Sequence, residues 1–215
     1  MTKIEAPFPD YSVTHPHNRE KDVTVVLLHG AFGAKEYWRY QTSALVQAGY
    51  RVLAWDAPGY GLSPLPQGFS IDLAARSLAL LLRREGGKRN VVLGHSMGGM
   101  IAQRAWSLVP ELIHGYVLSA TSAAFGSPDG EWQKEFVRQR VAPLDAGRTI
   151  PEYAPEMLRK MMAPGASGDP VNLVIGTVSQ MREDTFRAAV SSIVGFEGRA
   201  LLPTMNVPAL CIAGE

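Results

Sequence analysis

Cysteine, excess charge and long apolar runs are all scarce in this sequence. One cysteine, Cys211, excludes a disulfide within the chain and is typical of a reducing compartment. Twenty-one Lys and Arg residues against 20 Asp and Glu residues leave a net charge of +1, which favours neither nucleic acid nor an anionic membrane as a partner. No apolar run reaches the roughly 18 residues that span a bilayer. Residues 1–12 lack the apolar stretch of a signal peptide, so we predict a soluble, cytoplasmic protein.

Length and composition are typical of a globular protein with a sizeable core. The chain has 215 residues, of which 46% are apolar and 19% charged. A small-molecule substrate is the expected partner, and the sequence leaves the oligomeric state open. No cluster of side chains has the spacing of a metal site, so neither a metal nor an organic cofactor is predicted.

Short apolar runs alternate along the chain with segments of helical spacing. Runs of this length are typical of strands buried on both faces of a parallel sheet. The predicted strands are 23–28, 50–55, 90–93, 113–119 and 207–213. Apolar residues repeat at helical spacing over 71–82, after a predicted N-cap at Ser70, and over 97–108. The alternation predicts a doubly wound, mostly parallel α/β sheet.

The alternation stops after the fourth predicted strand. Helical patterns occupy 131–140, 155–162, the segment that begins at Asp169, and 186–194. A helical insertion in an α/β core predicts a cap over the core. We therefore predict a first part of the core at 1–125, a helical cap at 126–198 and a return to the core at 199–215.

The motif Gly-x-Ser-x-Gly occurs between a predicted strand and a predicted helix. Its residues are Gly94, His95, Ser96, Met97 and Gly98. A nucleophile elbow requires this context, because the serine must sit on a sharp turn with its hydroxyl exposed and small residues beside it. The motif predicts that Ser96 is a catalytic nucleophile, and the alternative is a glycine-rich structural turn.

A second glycine-containing loop follows the first buried strand, at His29-Gly30-Ala31-Phe32-Gly33. A serine acyl-transfer enzyme needs hydrogen-bond donors for the oxyanion of its tetrahedral intermediate. We predict the backbone N–H groups of Met97 and Ala31 as these donors, with Phe32 as a further candidate. His29 is expected to shape the loop rather than to transfer protons.

Four motifs, in order and over nearly all of the chain, resemble those of α/β-hydrolases with a helical cap. They are His29-Gly30, Asp56-x-x-Gly59-x-Gly61-x-Ser63, Gly94-x-Ser96-x-Gly98-Gly99 and the segment 207–215. The cap and the last motif are similar to those of esterases and enol-lactonases. The resemblance implies a serine hydrolase with an acyl-enzyme intermediate, in which Asp56 stabilises a turn.

The resemblance also implies a catalytic acid and a histidine that follow Ser96 in the chain. Glu215 matches the residue ahead of the usual acid, and no histidine of this sequence occupies the family's position. We therefore expect a C-terminally truncated hydrolase that lacks the last strand and helices of the core. Without acid and base, such a chain is expected to be inactive or crippled.

The pocket above Ser96 is expected to be small and largely apolar. Its predicted lining residues are His29, Gly30, His95, Met157, Met161 and Trp132. Methionine adapts to irregular ligands, although core positions of the cap are the alternative for these methionines. Phe136 is expected to add to the apolar wall, and Arg138, Arg140 and Arg159 stay open as cations that could hold a carboxylate. The expected substrate is a small, largely apolar ester, thioester or lactone.

Two other functions stay open. A non-catalytic ligand-binding or receptor protein of the α/β-hydrolase fold would keep the pocket and lack members of the triad. A serine-dependent carbon–carbon bond hydrolase would share both the cap and the nucleophile.

Overall fold

A computed structural model describes residues 5–17, 21–127, 129–178 and 180–214. In these residues six strands form one sheet in the order β1-β3-β2-β4-β5-β6. The strands are β1 (Tyr11–Thr14), β2 (Thr24–Leu28), β3 (Arg51–Trp55), β4 (Asn90–His95), β5 (Gly115–Ser119) and β6 (Ala209–Ile212). All pairs are parallel except β1 with β3. The predicted mostly parallel α/β sheet is confirmed.

Seven α-helices occur in the described residues. They are α1 (Arg39–Gln47), α2 (Ile71–Glu85), α3 (Met97–Trp106), α4 (Glu131–Asp145), α5 (Ile150–Met161), α6 (Asp169–Val178) and α7 (Glu183–Val194). Ser70 caps α2 as predicted, because its Oγ accepts a hydrogen bond of 3.1 Å from the Leu73 N–H. No helix in the described part of the chain is long and apolar enough to span a bilayer.

The central strands are buried on both faces of the sheet, which explains their continuous apolar sequences. Side chains alternate between the two faces of a strand. Val26 and Leu28 of β2 join the core that contains α2 and α3. Val25 and Leu27 join a second core on the other face, with Val46 of α1.

Two elements have no counterpart among the predicted ones. Strand β1 is only four residues long and lies antiparallel at the sheet edge, where its alternate residues stay exposed. Helix α1 buries only Val46, so it lacks the apolar stripe on which helix prediction depends. Both elements are therefore weakly encoded by local sequence pattern.

Helices α4 to α7 lie between β5 and β6 and within the predicted 126–198 segment. They enclose a core of their own around Leu144, Tyr153 and Phe186. Phe186 packs on Phe32 of the loop after β2, with the ring centroids 4.9 Å apart. The buried Thr185 hydroxyl donates a 2.8 Å hydrogen bond to the carbonyl of Gly59 in the turn after β3. These contacts hold the helical insertion above the carboxyl ends of the strands.

Candidate active site

Ser96 lies in a sharp turn between β4, which ends at His95, and α3, which begins at Met97. Its backbone has φ 51° and ψ −117°, a conformation that costs energy for any residue with a Cβ. Glycines make the turn possible. A Cβ on Gly94 would lie 2.5 Å from the Gly98 carbonyl oxygen, and a Cβ on Gly98 would lie 2.3 Å from the Leu28 carbonyl oxygen. The turn therefore has the strand–serine–helix geometry that the sequence predicts.

Hydrogen bonds from the end of β5 hold the strained serine in this conformation. The Ser96 N–H donates to the Ser119 carbonyl at 2.9 Å, and the Thr121 hydroxyl donates to the Ser96 carbonyl at 2.8 Å. Ala120, between these two partners, is the second non-glycine residue with positive φ in the described residues. Strain at both residues is localised beside one site, as is common at functional sites.

The imidazole of His29 fixes the loop that follows β2. The Ala57 N–H donates to His29 Nε2 at 3.0 Å, so that nitrogen is an acceptor and the proton is assigned to Nδ1. Nδ1 then donates to the Gly30 carbonyl at 2.8 Å. In a trans peptide the N–H points away from the carbonyl. The Ala31 N–H is therefore directed away from the His29 ring.

This loop lies directly against Ser96. A Cβ on Gly30 would be 3.2 Å from the Ser96 Cβ. The Ala31 carbonyl is occupied by the Tyr60 hydroxyl, which donates to it at 3.0 Å. Met97 is the first residue of α3, where N–H groups have no acceptor inside the helix and the helix dipole favours negative charge. The N–H groups of Ala31 and Met97 thus belong to the two backbone segments that adjoin Ser96.

Burial lowers the pKa of His29, and burial also lowers the pKa of His95. In the unfolded chain a histidine takes up a proton below about pH 6.5, which the buried neutral ring cannot do. The unfolded state then binds more protons, so stability falls as the pH decreases below about 6.5.

We expect His29 alone to lower the free energy of unfolding by about 1 kcal/mol between about pH 7 and pH 5.5. Urea denaturation at the two pH values measures this loss, and His29→Gln should reduce it. His114→Gln is the control, since that residue is only half-buried. Equal stability of the parent protein at both pH values would contradict the prediction, whether or not the variant folds.

A cavity of about 340 Å³ opens above Ser96, between the sheet and the helical insertion. Larger cavities of about 630 and 600 Å³ lie elsewhere, and Ser96 lines neither of them. The cavity at Ser96 is lined by Gly30, Ala31, Phe32, Gly33, Tyr37, His95, Ser96, Met100, Ala120, Thr121, Ser122, Phe125, Phe136, Arg140, Leu158, Met161, Val174, Val190 and Ile193. All four helices of the insertion contribute to this lining.

The structure brings some of the predicted pocket residues to the cavity and leaves others outside it. Gly30, His95 and Met161 line it. His29 does not, because its ring is fully buried beneath the loop. Met157 lines an adjoining cavity, which shares Arg140 and Met161 with the cavity at Ser96. Trp132 is 62% exposed and packs on Phe125 and Phe136 instead of facing Ser96.

The lining also includes Phe136, Arg140 and Phe125. Phe136 and Arg140 lie four residues apart on α4, so they share one face of a helix that the sequence did predict. Which face meets the cavity depends on packing against the core and cannot be read from that spacing. Phe125 follows β5 in a stretch with no periodic pattern.

Asp56 lies outside the cavity and stabilises a turn. Its Oδ1 accepts from the Lys35 N–H at 2.8 Å, and its Oδ2 lies 2.5 Å from Lys35 Nζ. Its backbone carbonyl accepts a 2.7 Å hydrogen bond from the Ser63 hydroxyl. These contacts agree with the structural role implied by the sequence resemblance.

The described residues supply no hydrogen-bond partner to the Ser96 hydroxyl. The neighbouring His95 ring points to Ser119 Oγ, 3.4 Å from its Nδ1. Glu215 lies outside the described residues. Within those residues, no three His, Cys, Asp or Glu side chains come together as possible metal ligands.

Comparison with known proteins agrees with this geometry. The sequence profile described as "Alpha/beta hydrolase family" matches residues 25–214. The chain therefore belongs to the alpha/beta hydrolase family. It is 40% identical over 206 residues to RutD of Stutzerimonas stutzeri, provisionally assigned as a carbamate hydrolase, and the match covers 89% of this chain and 73% of RutD. It also matches human ABHD8 at 29% identity over 109 residues, which are 49% of this chain and 25% of ABHD8.

Solved structures share the fold at low sequence identity. A bromoperoxidase from Bacillus anthracis superposes with a TM-score of 0.80 at 24% identity, covering 95% of this chain and 76% of that protein. The enol-lactonase from Burkholderia xenovorans has a TM-score of 0.71 at 23% identity, covering 98% and 79%. At these identities the likeness concerns the fold.

Proposed function

We propose that the protein is a serine hydrolase that cleaves a small carboxylic ester, thioester or lactone through an acyl-enzyme intermediate. The observation that carries the proposal is Ser96 itself. A serine is held in a strained turn, at the N-terminus of α3, on the wall of a cavity. A structural turn would have no need for the strain, whereas an exposed nucleophile requires it.

In the proposed reaction, Ser96 Oγ attacks the substrate carbonyl and forms a tetrahedral intermediate. The N–H groups of Met97 and Ala31 donate to its oxyanion, and the positive end of the α3 dipole adds to their effect. His29 acts here as a positioning residue, because its ring orients the Gly30–Ala31 peptide. The serine proton passes to a general base and then to the leaving group, and water releases the acyl group.

We also propose that helices α4 to α7 form a cap that selects the substrate. Every one of these helices contributes a residue to the cavity above Ser96. A volume of about 340 Å³ lies at the lower end of the usual range for ligand pockets, which favours a small substrate.

Carbamate hydrolysis is a second candidate, because RutD is 40% identical to this chain over 89% of its length. Carbamates and esters are both attacked at a carbonyl carbon. Ser96 and the N–H groups of Met97 and Ala31 would therefore serve in the hydrolysis of either. Carbon–carbon hydrolysis and non-catalytic binding remain the two other candidates from the sequence.

A product assay separates these candidates. The full-length protein is incubated with p-nitrophenyl acetate, p-nitrophenyl butyrate, a small lactone, an aryl carbamate and a 1,5-diketone, and products are followed by absorbance and chromatography. The proposal predicts turnover of esters or lactones above that of the diketone. Ligand binding by calorimetry without product from any compound would favour a receptor and overturn the proposal.

A further inference from the structure

Among the described residues that line the cavity at Ser96, Arg140 is the one side chain with a permanent charge. It is half-buried on α4, and its guanidinium lies over the Phe136 ring, 3.4 Å from the ring centroid. Its Nη1 donates to the Phe136 carbonyl at 3.1 Å. The cation is therefore held on an aromatic face at the wall of an otherwise uncharged cavity.

Within the described part of the chain, no carboxylate pairs with this cation. Among residues 5–17, 21–127, 129–178 and 180–214, no carboxylate oxygen lies within 4.0 Å of the Arg140 guanidinium. Three other arginines of the insertion, Arg138, Arg182 and Arg187, are paired, whereas the solvent-side Arg148 donates only to the Glu152 carbonyl. Arg138 binds Glu135 at 2.6 Å, and Arg187 binds Asp145 at 2.7 Å. Burial also lowers the pKa of Arg140, since water is partly excluded from its charge.

The position of the Arg140 guanidinium over the Phe136 ring leaves donors available. When a guanidinium lies flat on a ring, its N–H groups point outward in the plane of the group, which suits two parallel bonds to a carboxylate. Arg140 uses one donor on the Phe136 carbonyl. The remaining donors can meet an anion that enters the cavity.

We propose that Arg140 binds the carboxylate of an anionic substrate whose scissile carbonyl lies at Ser96. The inference rests on the proposed function and narrows its substrate class to short esters that carry a carboxylate on the acyl chain. It replaces the expectation of a largely apolar substrate, because the aromatic and aliphatic walls would contact only the carbon chain between the two polar ends.

Two esters that differ in one end group test this selectivity. The full-length protein is assayed with mono-p-nitrophenyl glutarate and with p-nitrophenyl pentanoate, in which a methyl group replaces the carboxylate. Arg140→Gln should lower kcat/KM for the glutarate ester at least about tenfold. The loss of kcat/KM for the pentanoate ester should be clearly smaller than for the glutarate ester, and Arg140→Lys should recover part of the loss for the glutarate ester. Arg138→Gln, on the same helix but paired and exposed, is the matched control.

A binding measurement separates this inference from the proposed function. Calorimetry with monomethyl glutarate in the Ser96→Ala protein requires no turnover. Arg140→Gln in that background should weaken binding at least about tenfold. If binding depends on Arg140 but no ester is hydrolysed, the hydrolase proposal fails and the anion site stands. If Arg140→Gln leaves binding and ester preference unchanged, the anion site is overturned whatever the hydrolase activity.

Discussion

Ser96→Ala is expected to lower the rate of p-nitrophenyl acetate hydrolysis by the full-length protein at least about 10³-fold. The substitution removes one oxygen atom and keeps the Cβ, so the strained backbone and its bonds to Ser119 and Thr121 can persist. What is lost is the atom that forms the acyl-enzyme. Residual activity would come from binding and from the oxyanion donors alone.

Ser122→Ala is the matched control for this experiment. Ser122 lines the same cavity, but its hydroxyl donates to the Ala124 carbonyl at 2.8 Å. Removal of this hydroxyl should leave kcat/KM within about threefold of the parent value, which corresponds to a change in activation free energy of less than about 1 kcal/mol.

An irreversible phosphonate probe should label the parent protein and the Ser122→Ala variant but not Ser96→Ala, as read by mass spectrometry. Undiminished hydrolysis by Ser96→Ala, with its folding checked by circular dichroism, would rule out Ser96 as the nucleophile.

Gly98→Ala is expected to lower the free energy of unfolding by about 3 kcal/mol, the upper end for overpacked sites. The added Cβ would lie 2.3 Å from the Leu28 carbonyl oxygen and 2.7 Å from the His29 carbonyl oxygen. Both are backbone atoms at the end of the fully buried strand β2, so neither can swing aside as a side chain would. The strand and α3 must separate instead, which moves the loop at residues 29–33 away from Ser96. Urea denaturation measures the loss of stability, and ester hydrolysis should fall with it.

Gly176→Ala serves as the comparison for the glycine experiment. Gly176 lies within α6, and a Cβ there would meet no atom within 4 Å. Alanine is favoured over glycine in a helix by about 1 kcal/mol, so this variant should be at least as stable as the parent. Equal stability of the Gly98 and Gly176 variants would show that close packing at the turn does not require Gly98.

Local sequence pattern was sufficient for five of the six strands in the described residues and for the turn that holds Ser96. Strands β2 and β3 are buried on both faces, so their continuous apolar runs marked them directly, and Ser70 marked the start of α2. Gly94 and Gly98 flank a serine between a strand and a helix. Backbone atoms approach both residues so closely that a Cβ would collide with them, which explains why the motif has glycine at these two positions. Strand β1 and helix α1 escaped prediction because each buries too little to impose a pattern.

The composition of the cavity was decided only by tertiary structure. Sequence spacing places Phe136 and Arg140 on one helical face but contains no information on what that face meets. That depends on long-range contacts, such as Phe32 with Phe186 and Thr185 with Gly59, which set the insertion above the core. Trp132 was predicted to line the cavity, but it packs on Phe125 and Phe136 and is not among the lining residues. Local periodicity thus determined most strands and helices and the turn at Ser96. The packing of segments that are distant in the sequence decided which side chains surround Ser96.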